Sequence, residues 1–406
     1  MTEKMHVLVI NVFFAPHTYG GATHVAEQVS RQLIARSGAR VTAISVMARP
    51  EFGSYLVMKS EAAGIVNYLI NLPTGRSYRQ MYNNPEVINL ITSIARELKP
   101  DVAHVHCVQD IGAGVLPAFK ALGIPTILSV HDFWWLCERQ FMIRPDGKYC
   151  GQNPIDVEQC VGCVTNHSAA RDRHTYLIAQ AATANLVTYP STFARDLCER
   201  SGLAPGKGVV WENGTVPPSE GFAAAQAERR ADDPRIVFGF VGGPSPIKGW
   251  PIVQDTFRTL GRTDLKGYLV DASLDGSWYA KGRHNELQGE WIVHPRYDST
   301  TMDDFYVKID VLLFLSQWKE TFGLTIREAL ARGIHVIQTD GGGTVEHGGL
   351  DRVRLLKIGD GPAQLRPEIE RILDNPECGR PLPMPVHTYA DQADALFALV
   401  YAHCGL

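Results

Sequence analysis

Residues 316–346, SQWKETFGLTIREALARGIHVIQTDGGGTVE, contain the features around which the rest of the chain is organised. The apolar pattern of residues 324–332 predicts a helix that ends at Gly333. A short apolar strand is expected over residues 335–338, and three consecutive glycines at 341–343 follow it closely. The turn that opens the helix consists of Thr321, Phe322 and Gly323.

Two carboxylates accompany this turn, since Glu320 precedes the predicted helix and Glu328 lies inside it. The unpaired N–H groups and the positive dipole end of a helix start favour a phosphate. A carboxylate repels phosphate, but it accepts strong hydrogen bonds from sugar hydroxyls. The combination predicts a ligand that is part phosphate and part sugar. The alternative is that both glutamates are solvated charges near a helix N-terminus.

The totals indicate a soluble protein with room for two domains: 406 residues, of which 45% are apolar and 20% charged. The net charge of −4 provides no basic field for nucleic acid. No apolar run reaches the ~18 residues that span a bilayer, so we expect a cytoplasmic protein. Its 8 cysteines are then expected to be thiols or metal ligands instead of disulfides.

The first half alternates predicted strands and helices. Residues 6–14 form an apolar run, and a glycine turn and a helical pattern over 23–35 follow it. This order is typical of a doubly wound α/β domain, in which ligands bind at the carboxyl ends of the strands. His131 follows the strand predicted over 126–130 and therefore belongs to that edge, where a lone histidine is either structural or functional.

The second half repeats the α/β pattern after a boundary segment at 215–234. A strand over 235–241 runs into a glycine loop that contains Lys248, and backbone N–H groups with one ammonium suit a phosphate. The loop is no Walker A motif, because Gly249 stands where Ser or Thr would bind Mg²⁺. Neither glycine loop has the G-x-G-x-x-G spacing of dinucleotide-binding enzymes.

Residues 132–167 interrupt the α/β pattern and contain half of the cysteines. The C-x12-C-x9-C-x2-C spacing ends in a pair that can present two thiolates to a tetrahedral ion, and four thiolates would complete a structural site. We predict bound zinc, ahead of an iron–sulfur cluster and of four unrelated thiols. The predicted ligands are Cys137, Cys150, Cys160 and Cys163.

Over nearly its full length the chain resembles the retaining GT-B glycosyltransferases of glycosyltransferase family 4. The motifs that carry the resemblance are Gly20-Gly21, the stretch Asp101 to His106, His131-Asp132, Asn213-Gly214, Lys248-Gly249 and Glu320-x7-Glu328 with Thr321-Phe322-Gly323 between. The resemblance implies two Rossmann-like α/β domains that face a cleft. It places the acceptor domain at 1–214 and the nucleotide-sugar domain at 215–385, and a terminal helix at 386–406 that crosses back to the first domain.

The resemblance also implies roles for individual residues. His131 would contact the donor sugar, Lys248 would stabilise the leaving nucleoside diphosphate in place of a catalytic metal, and Glu320 would bind the sugar hydroxyls. Glu328 would bind the ribose. The full set of implied donor-binding residues is Gly20, Gly21, Gly243, Lys248, Arg296, Tyr297, Thr321, Phe322, Gly323, Leu324 and Glu328.

One position departs from the family pattern. The family usually has an arginine where this chain has Gly243. Stabilisation of the leaving group would therefore rest on Lys248 or on a cation from elsewhere, for which Arg296 is the candidate.

The expected reaction transfers a hexosyl group, with retention, from a UDP- or GDP-sugar to a glycan, a lipid-linked or a small-molecule acceptor. Two alternatives are a sugar-nucleotide 2-epimerase and a catalytically silent metal-binding scaffold. The sequence leaves the oligomeric state open, and also peripheral association with a membrane, since no basic amphipathic helix clearly marks one.

Overall fold

The computed structural model of the chain describes residues 4–273, 276–280 and 282–404, without the side chains of Arg283 and Tyr401. The chain divides into two compact units. The first unit comprises residues 4–142, 151–214 and 387–404, and the second comprises 143–150 and the described residues of 215–386.

The first unit is an eight-stranded sheet with helices between its strands, in the strand order β3-β4-β2-β1-β5-β6-β7-β8. Its elements up to residue 210 are β1 (His6–Ile10), α1 (Gly21–Ser37), β2 (Arg40–Met47), β3 (Val57–Ala62), β4 (Ile65–Asn71), α2 (Pro85–Leu98), β5 (Val102–Val105), α3 (Val115–Ala121), β6 (Thr126–Ser129), α4 (His167–Ala181), β7 (Leu186–Tyr189), α5 (Thr192–Arg200) and β8 (Gly208–Val210). All neighbouring strands are parallel except the edge pair β3 and β4.

The second unit is a six-stranded parallel sheet in the order β11-β10-β9-β12-β13-β14. Its elements are α6 (Phe222–Asp232), β9 (Ile236–Phe240), α7 (Trp250–Arg258), β10 (Leu265–Asp271), β11 (Glu290–Pro295), α8 (Met302–Tyr306), β12 (Val311–Phe314), α9 (Leu324–Ala331), β13 (His335–Thr339), β14 (Val353–Leu356) and α10 (Pro362–Asp374). Apolar side chains of α7 and α10 pack on one face of the sheet, and those of α8 and α9 pack on the other.

The last helix, α11 (Tyr389–Cys404), belongs to the first unit and packs against α1. Gln392 is fully buried, and its side chain accepts a bond of 2.7 Å from the backbone N–H of Gly214. The indole of Trp211 donates to the backbone carbonyl of the same residue at 2.9 Å. Gly214 is required here, since a Cβ would lie 2.3 Å from the backbone of Tyr389. The terminal helix therefore completes the first sheet's unit, as the predicted fold class requires.

Both sheets have the architecture that the α/β pattern predicts, with parallel strands in their centres. Parallel strands carry their connecting loops at two opposite edges, and the loops at the carboxyl edge are where such sheets bind ligands. Among the described residues, no helix has both the length and the apolar content that a membrane span needs.

Candidate active site

The loops that hold Lys248 and Glu320 follow two adjacent strands of the second unit. Strand β9 pairs with β12, so the loop after each strand emerges at the same edge of the sheet. Lys248 lies in a short 3-10 turn after β9, and Glu320 lies in the loop between β12 and α9. The structure therefore places both side chains in loops at the carboxyl edge of the second sheet.

A close approach of backbone to backbone joins the two loops. Gly249 has φ +83°, and a Cβ at this position would lie 2.3 Å from the carbonyl oxygen of Leu315. Next to it, the N–H of Gln317 donates to the carbonyl of Ile247 at 2.8 Å. Only glycine tolerates both this conformation and this proximity, so Gly249 allows the Lys248 turn to lie directly on the end of β12.

Lys248 and Glu320 form an ion pair. The ammonium nitrogen lies 2.7 Å from Oε1 of Glu320 and faces the aromatic rings of Phe314 and Trp318 at 5.9 and 5.8 Å. The hydroxyl of Ser316 donates to the same carboxylate oxygen. Within the described part of the chain, both bonds go to Oε1, so Oε2 is the atom of Glu320 that can accept from a ligand.

The glycine-rich segment after β13 supports the backbone of Glu320. Glu320 pairs with Gly342 as an isolated parallel bridge, and the N–H of Gly343 donates to its carbonyl at 2.9 Å. The buried guanidinium of Arg327 donates to the carbonyls of Phe322 at 2.5 Å and of Glu346 at 3.0 Å. This arginine joins the turn before α9 to the glycine segment, which fixes the position of Glu320 from both sides.

The start of α9 has the geometry expected of an anion site. The helix begins at Leu324, and Gly323 before it has φ +83° and lacks a side-chain cap. A Cβ at Gly323 would lie 3.1 Å from Thr344 and Ile326, so the turn is close-packed as well as left-handed. The unpaired N–H groups at the start of the helix therefore come directly after the turn that contains Glu320, Thr321 and Phe322.

Glu328 lies on α9 in a cluster with two tyrosines. Its Oε2 accepts from the hydroxyl of Tyr306 at 2.8 Å, and the hydroxyls of Tyr306 and Tyr297 are 3.3 Å apart. The ring of Tyr297 also stacks on Phe305 with centroids 5.3 Å apart. Burial raises the pKa of Glu328 above its usual value, while the Tyr306 bond opposes that rise. The structure thus brings two of the predicted donor-binding residues, Glu328 and Tyr297, into one group.

Gly243 is the position at which the sequence predicts a departure from the family pattern, and Arg296 is the predicted replacement cation. Gly243 has φ +63°, and a Cβ there would lie 2.6 Å from the ring of Trp278. The indole of Trp278 therefore occupies the space that the Cβ of an arginine at this position would need. Arg296 directly follows β11 and is exposed, and no described contact joins it to Lys248.

In the first unit, Gly20 and Gly21 open helix α1. Gly20 has φ +82°, and the space beside it is open, since a Cβ would meet no atom within 4 Å. Gly21 is the first residue of the helix. The left-handed conformation of Gly20 favours glycine, and the open space leaves room for a ligand to approach the backbone.

His131 is part of a column of three imidazoles in the first unit. Its Nε2 lies 2.8 Å from Nδ1 of His106, and the two rings are nearly parallel at 14°. The ring of His106 lies 4.0 Å from that of His104, whose Nε2 is 2.7 Å from the hydroxyl of Ser129. Burial lowers the pKa of His131 to about 4 and that of His104 to about 3, and it lowers the pKa of His106 well below its usual value. All three rings are therefore neutral near pH 7.

The predicted metal site at Cys137, Cys150, Cys160 and Cys163 is not assembled. Among the described residues, no group of three or more His, Cys, Asp or Glu side chains is placed to hold a metal ion. The segment is organised by other contacts: Ile143 and Tyr149 pair as a short antiparallel bridge that precedes Cys150. Cys160 ends a separate 3-10 turn, which Asp156 caps with a bond of 3.0 Å from the N–H of Glu158. The cysteines supply the right type of ligand, but their thiols lie on segments that are held in place by different contacts.

Three residues that contact the predicted site were missed from the sequence. Ser316 bonds Glu320, Tyr306 bonds Glu328 and His106 bonds His131. A signal existed for His106, because the alternating H-x-H of residues 104–106 places both imidazoles on one face of a strand. No sequence signal indicated Tyr306, since it reaches Glu328 through the packing of α8 on α9.

Two family models match the chain and together span most of it. Residues 19–217 match Glycosyltransferase Family 4, and residues 225–383 match Glycosyl transferases group 1. None of the proteins with curated functions is a significant match.

Solved structures of similar fold align over nearly the whole chain. HepE of Anabaena, determined with UDP and glucose, is 17% identical with a TM-score of 0.61, and the alignment covers 97% of this chain and 95% of HepE. Sucrose-phosphate synthase of Thermosynechococcus elongatus is 16% identical with a TM-score of 0.64, over 99% and 96%. An E. coli structure described as trehalose-6-phosphate bound with UDP-2-fluoro glucose is 13% identical with a TM-score of 0.61, over 98% and 96%.

The two sheets and these likenesses define the GT-B fold. With the two family matches, the chain is a GT-B glycosyltransferase of the family 4 group.

Proposed function

We propose that the protein transfers a hexosyl group from a nucleotide sugar to an acceptor, with retention of the anomeric configuration and without a catalytic metal. The observation that carries the proposal is the pairing of Lys248 with Glu320 beside the start of α9. An ammonium, free helix N–H groups and a carboxylate oxygen form one site with partners for both a diphosphate and sugar hydroxyls.

The second unit supplies the groups for the donor. Lys248 neutralises the charge that develops on the departing diphosphate, which is the role that a metal ion has in other transferases. Glu320 accepts from sugar hydroxyls through Oε2, because Lys248 and Ser316 already occupy Oε1. The N–H groups of Gly323 and Leu324 bind phosphate oxygens, and Glu328 accepts from the ribose.

A UDP-sugar is the favoured donor, with a GDP-sugar as the alternative. Support comes from the related folds: HepE was determined with UDP and with UDP-glucose, and the E. coli structure with UDP-2-fluoro glucose. The Tyr297 ring, stacked on Phe305 next to Glu328, offers an aromatic surface near the expected ribose position.

Retention is explained by attack of the acceptor on the face from which the diphosphate leaves. The departing phosphate then takes the proton of the acceptor hydroxyl, so no protein nucleophile is required. Glu320 is the carboxylate that we assign to the sugar, and its ion pair with Lys248 suits hydrogen bonding better than nucleophilic attack. His131 in the first unit is a neutral donor or acceptor for a sugar hydroxyl.

The acceptor belongs to one of three classes: a glycan, a lipid-linked glycan or a small molecule. A thiolate-bound zinc in the 132–167 segment would be a structural element of this acceptor-binding unit. Metal analysis of the purified protein tests this directly.

The test is a turnover assay with UDP-glucose, UDP-galactose, GDP-mannose and dTDP-glucose, each with and without an excess of chelator. We expect release of nucleotide from one donor, unaffected by chelator, and strongly reduced in Glu320→Ala. Turnover that requires an added divalent metal would contradict the metal-independent mechanism. Once an acceptor is found, NMR of the product anomer decides retention, and an inverted product would overturn the front-face mechanism.

A further inference from the structure

We propose that His106 is a positioning residue for His131, and that it holds the His131 imidazole in one orientation and one tautomer. The proposal rests on the proposed function, in which His131 contacts the donor sugar. His106 itself is assigned no contact with substrate, and it acts through the bond of 2.8 Å between its Nδ1 and Nε2 of His131.

Strand register makes this contact a consequence of the sheet. Strands β5 and β6 are parallel, and His104 aligns with Ile127. Side chains two residues apart on a strand share a face, so His104 and His106 face the same side as Ser129 and His131. Each histidine then bonds the residue 25 positions later: His104 bonds Ser129, and His106 bonds His131. The core packing that fixes the register therefore also fixes the histidine pair.

The bond between two ring nitrogens restricts the protonation of both rings. In a neutral imidazole one nitrogen donates and the other accepts, whereas both nitrogens of an imidazolium donate. The contact therefore needs one proton between the two atoms, and the tautomer of His131 depends on that of His106. Burial lowers the pKa of both rings, which is consistent with a neutral pair.

The surroundings of His106 leave it little freedom to change its orientation. Its side chain is 1% exposed, and its ring lies 4.0 Å from His104. His104 in turn lies 5.5 Å from the ring of Trp211, and its Nε2 bonds Ser129. The hydroxyl of Ser129 is bonded to that of Thr188 on the next strand at 2.6 Å. A row of packed rings and bonded side chains therefore restricts the orientation of the His106 ring.

Two substitutions separate positioning from simple packing, because the two explanations predict opposite orders of activity for the two variants. His106→Phe keeps the ring and its stacking but removes the nitrogen that bonds His131. His106→Asn loses volume but keeps a polar group near the position of Nδ1. If the bond positions His131, donor turnover falls on the order of tenfold in His106→Phe, and His106→Asn recovers part of it. The apparent affinity for UDP stays within about twofold in both, since a positioning effect acts on turnover.

The measurements are donor turnover, with UDP-glucose or the better donor from the panel above, and UDP affinity by calorimetry. His6→Asn is the control for loss of a buried histidine, since His6 is 6% exposed and bonds Thr42 on β2. It should leave turnover unchanged. A His106→Phe enzyme within about twofold of the wild-type rate, or one more active than His106→Asn, would overturn the proposal.

A second readout does not depend on activity. Long-range ¹⁵N NMR of the imidazoles reports the tautomer of His131, which His131→Ala identifies by loss of its signal. We expect one tautomer in the wild-type chain and a different or mixed population in His106→Phe. An unchanged His131 tautomer would overturn the proposal. If His131→Ala instead retains full turnover, the role of His131 in the proposed function fails, and the NMR result still decides whether His106 positions it.

Discussion

The two units offer chemically different groups to a ligand. In the second unit, Lys248 and Glu320 form an ion pair, and the start of α9 adds backbone N–H groups. In the first unit, half-buried His131 belongs to a row of neutral imidazoles whose other two members, His104 and His106, are buried. Charged groups suit a nucleoside diphosphate, whereas a neutral imidazole can exchange hydrogen bonds with a sugar hydroxyl. The second unit therefore has the groups that suit the leaving group, and the first unit has a group that suits a sugar hydroxyl.

Substitution of Lys248 should have the largest effect. In Lys248→Met the diphosphate loses its only proposed cation from the glycine loop, and we expect donor turnover to fall by roughly 10²- to 10³-fold, the usual cost of removing one transition-state charge partner. The measurement is the rate of nucleotide release at saturating donor.

The matched control for this substitution is Lys308→Met. Lys308 lies in the same unit, with its ammonium 5.7 Å from the ring of Tyr268, and is assigned no role in the site. It should retain wild-type turnover. Equal losses in both variants would show that the Lys248 result reflects folding, and no loss in either would remove Lys248 from the mechanism.

The histidine row should make the first unit sensitive to acid. Burial lowers the pKa of His104 from 6.5 to about 3, so the unfolded chain binds more protons between these values. The contribution of the neutral His104 ring to the free energy of unfolding is therefore complete above pH 6.5, and it is lost as the pH falls towards about 3. In His104→Asn this site cannot titrate. The wild-type free energy of unfolding should therefore fall relative to the variant by about 1.4 kcal/mol per pH unit in this window.

Urea unfolding at several pH values checks this expectation. His17→Asn, which changes an exposed histidine of the same unit, is the control and should follow the wild-type pH dependence. Parallel curves for the wild-type chain and His104→Asn would contradict the account of a row of neutral imidazoles.

Ser316 should matter for the second unit, but less than Lys248. Ser316 is 2% exposed and donates to Oε1 of Glu320. In Ser316→Ala the carboxylate is held by Lys248 alone, and we expect about a tenfold loss of donor turnover, equivalent to about 1.4 kcal/mol. Ser30→Ala is the control, because it removes an equally buried hydroxyl that bonds a helix carbonyl in α1. Wild-type turnover in Ser316→Ala, or an equal loss in Ser30→Ala, would exclude Ser316 as a support of Glu320.

The sequence predicted the architecture of the sheets better than it predicted the contacts between side chains. The strand and glycine patterns indicated the two parallel sheets, the carboxyl edge of the second sheet with Lys248 and Glu320, and that of the first sheet with His131, because hydrophobic periodicity is local. Edge strand β3 was missed, since its alternating exposed residues resemble a polar loop. The Tyr306–Glu328 bond depends on tertiary packing of two helices. The cysteine spacing predicted a metal site that the described residues do not assemble, because spacing defines the ligand type and leaves the positions of the carrying segments undetermined.

Substitution of Gly243 should have the smallest effect. Gly243→Ala introduces a Cβ at φ +63°, 2.6 Å from the ring of Trp278. Gly261→Ala is the matched control, since Gly261 has φ +78° but open space around it. Both variants should lose about 1 kcal/mol from the left-handed backbone, and Gly243→Ala should lose more through the clash. Chemical denaturation measures the difference, and Trp278→Ala in the Gly243→Ala background should remove it. Equal losses in the two single variants would show that Trp278 does not restrict position 243.

The central claim, that Lys248 and its loop hold the nucleotide diphosphate, is tested most directly by thermal unfolding with UDP, GDP, ADP and dTDP, with and without Mg²⁺. A nucleotide at about 100 times its Kd stabilises the folded state by roughly 2.7 kcal/mol. We predict that one nucleotide raises the Tm of the wild-type chain and of Lys308→Met, independently of Mg²⁺, and that Lys248→Met shows a much smaller rise. The absence of any shift, or an equal shift in Lys248→Met, would contradict the claim.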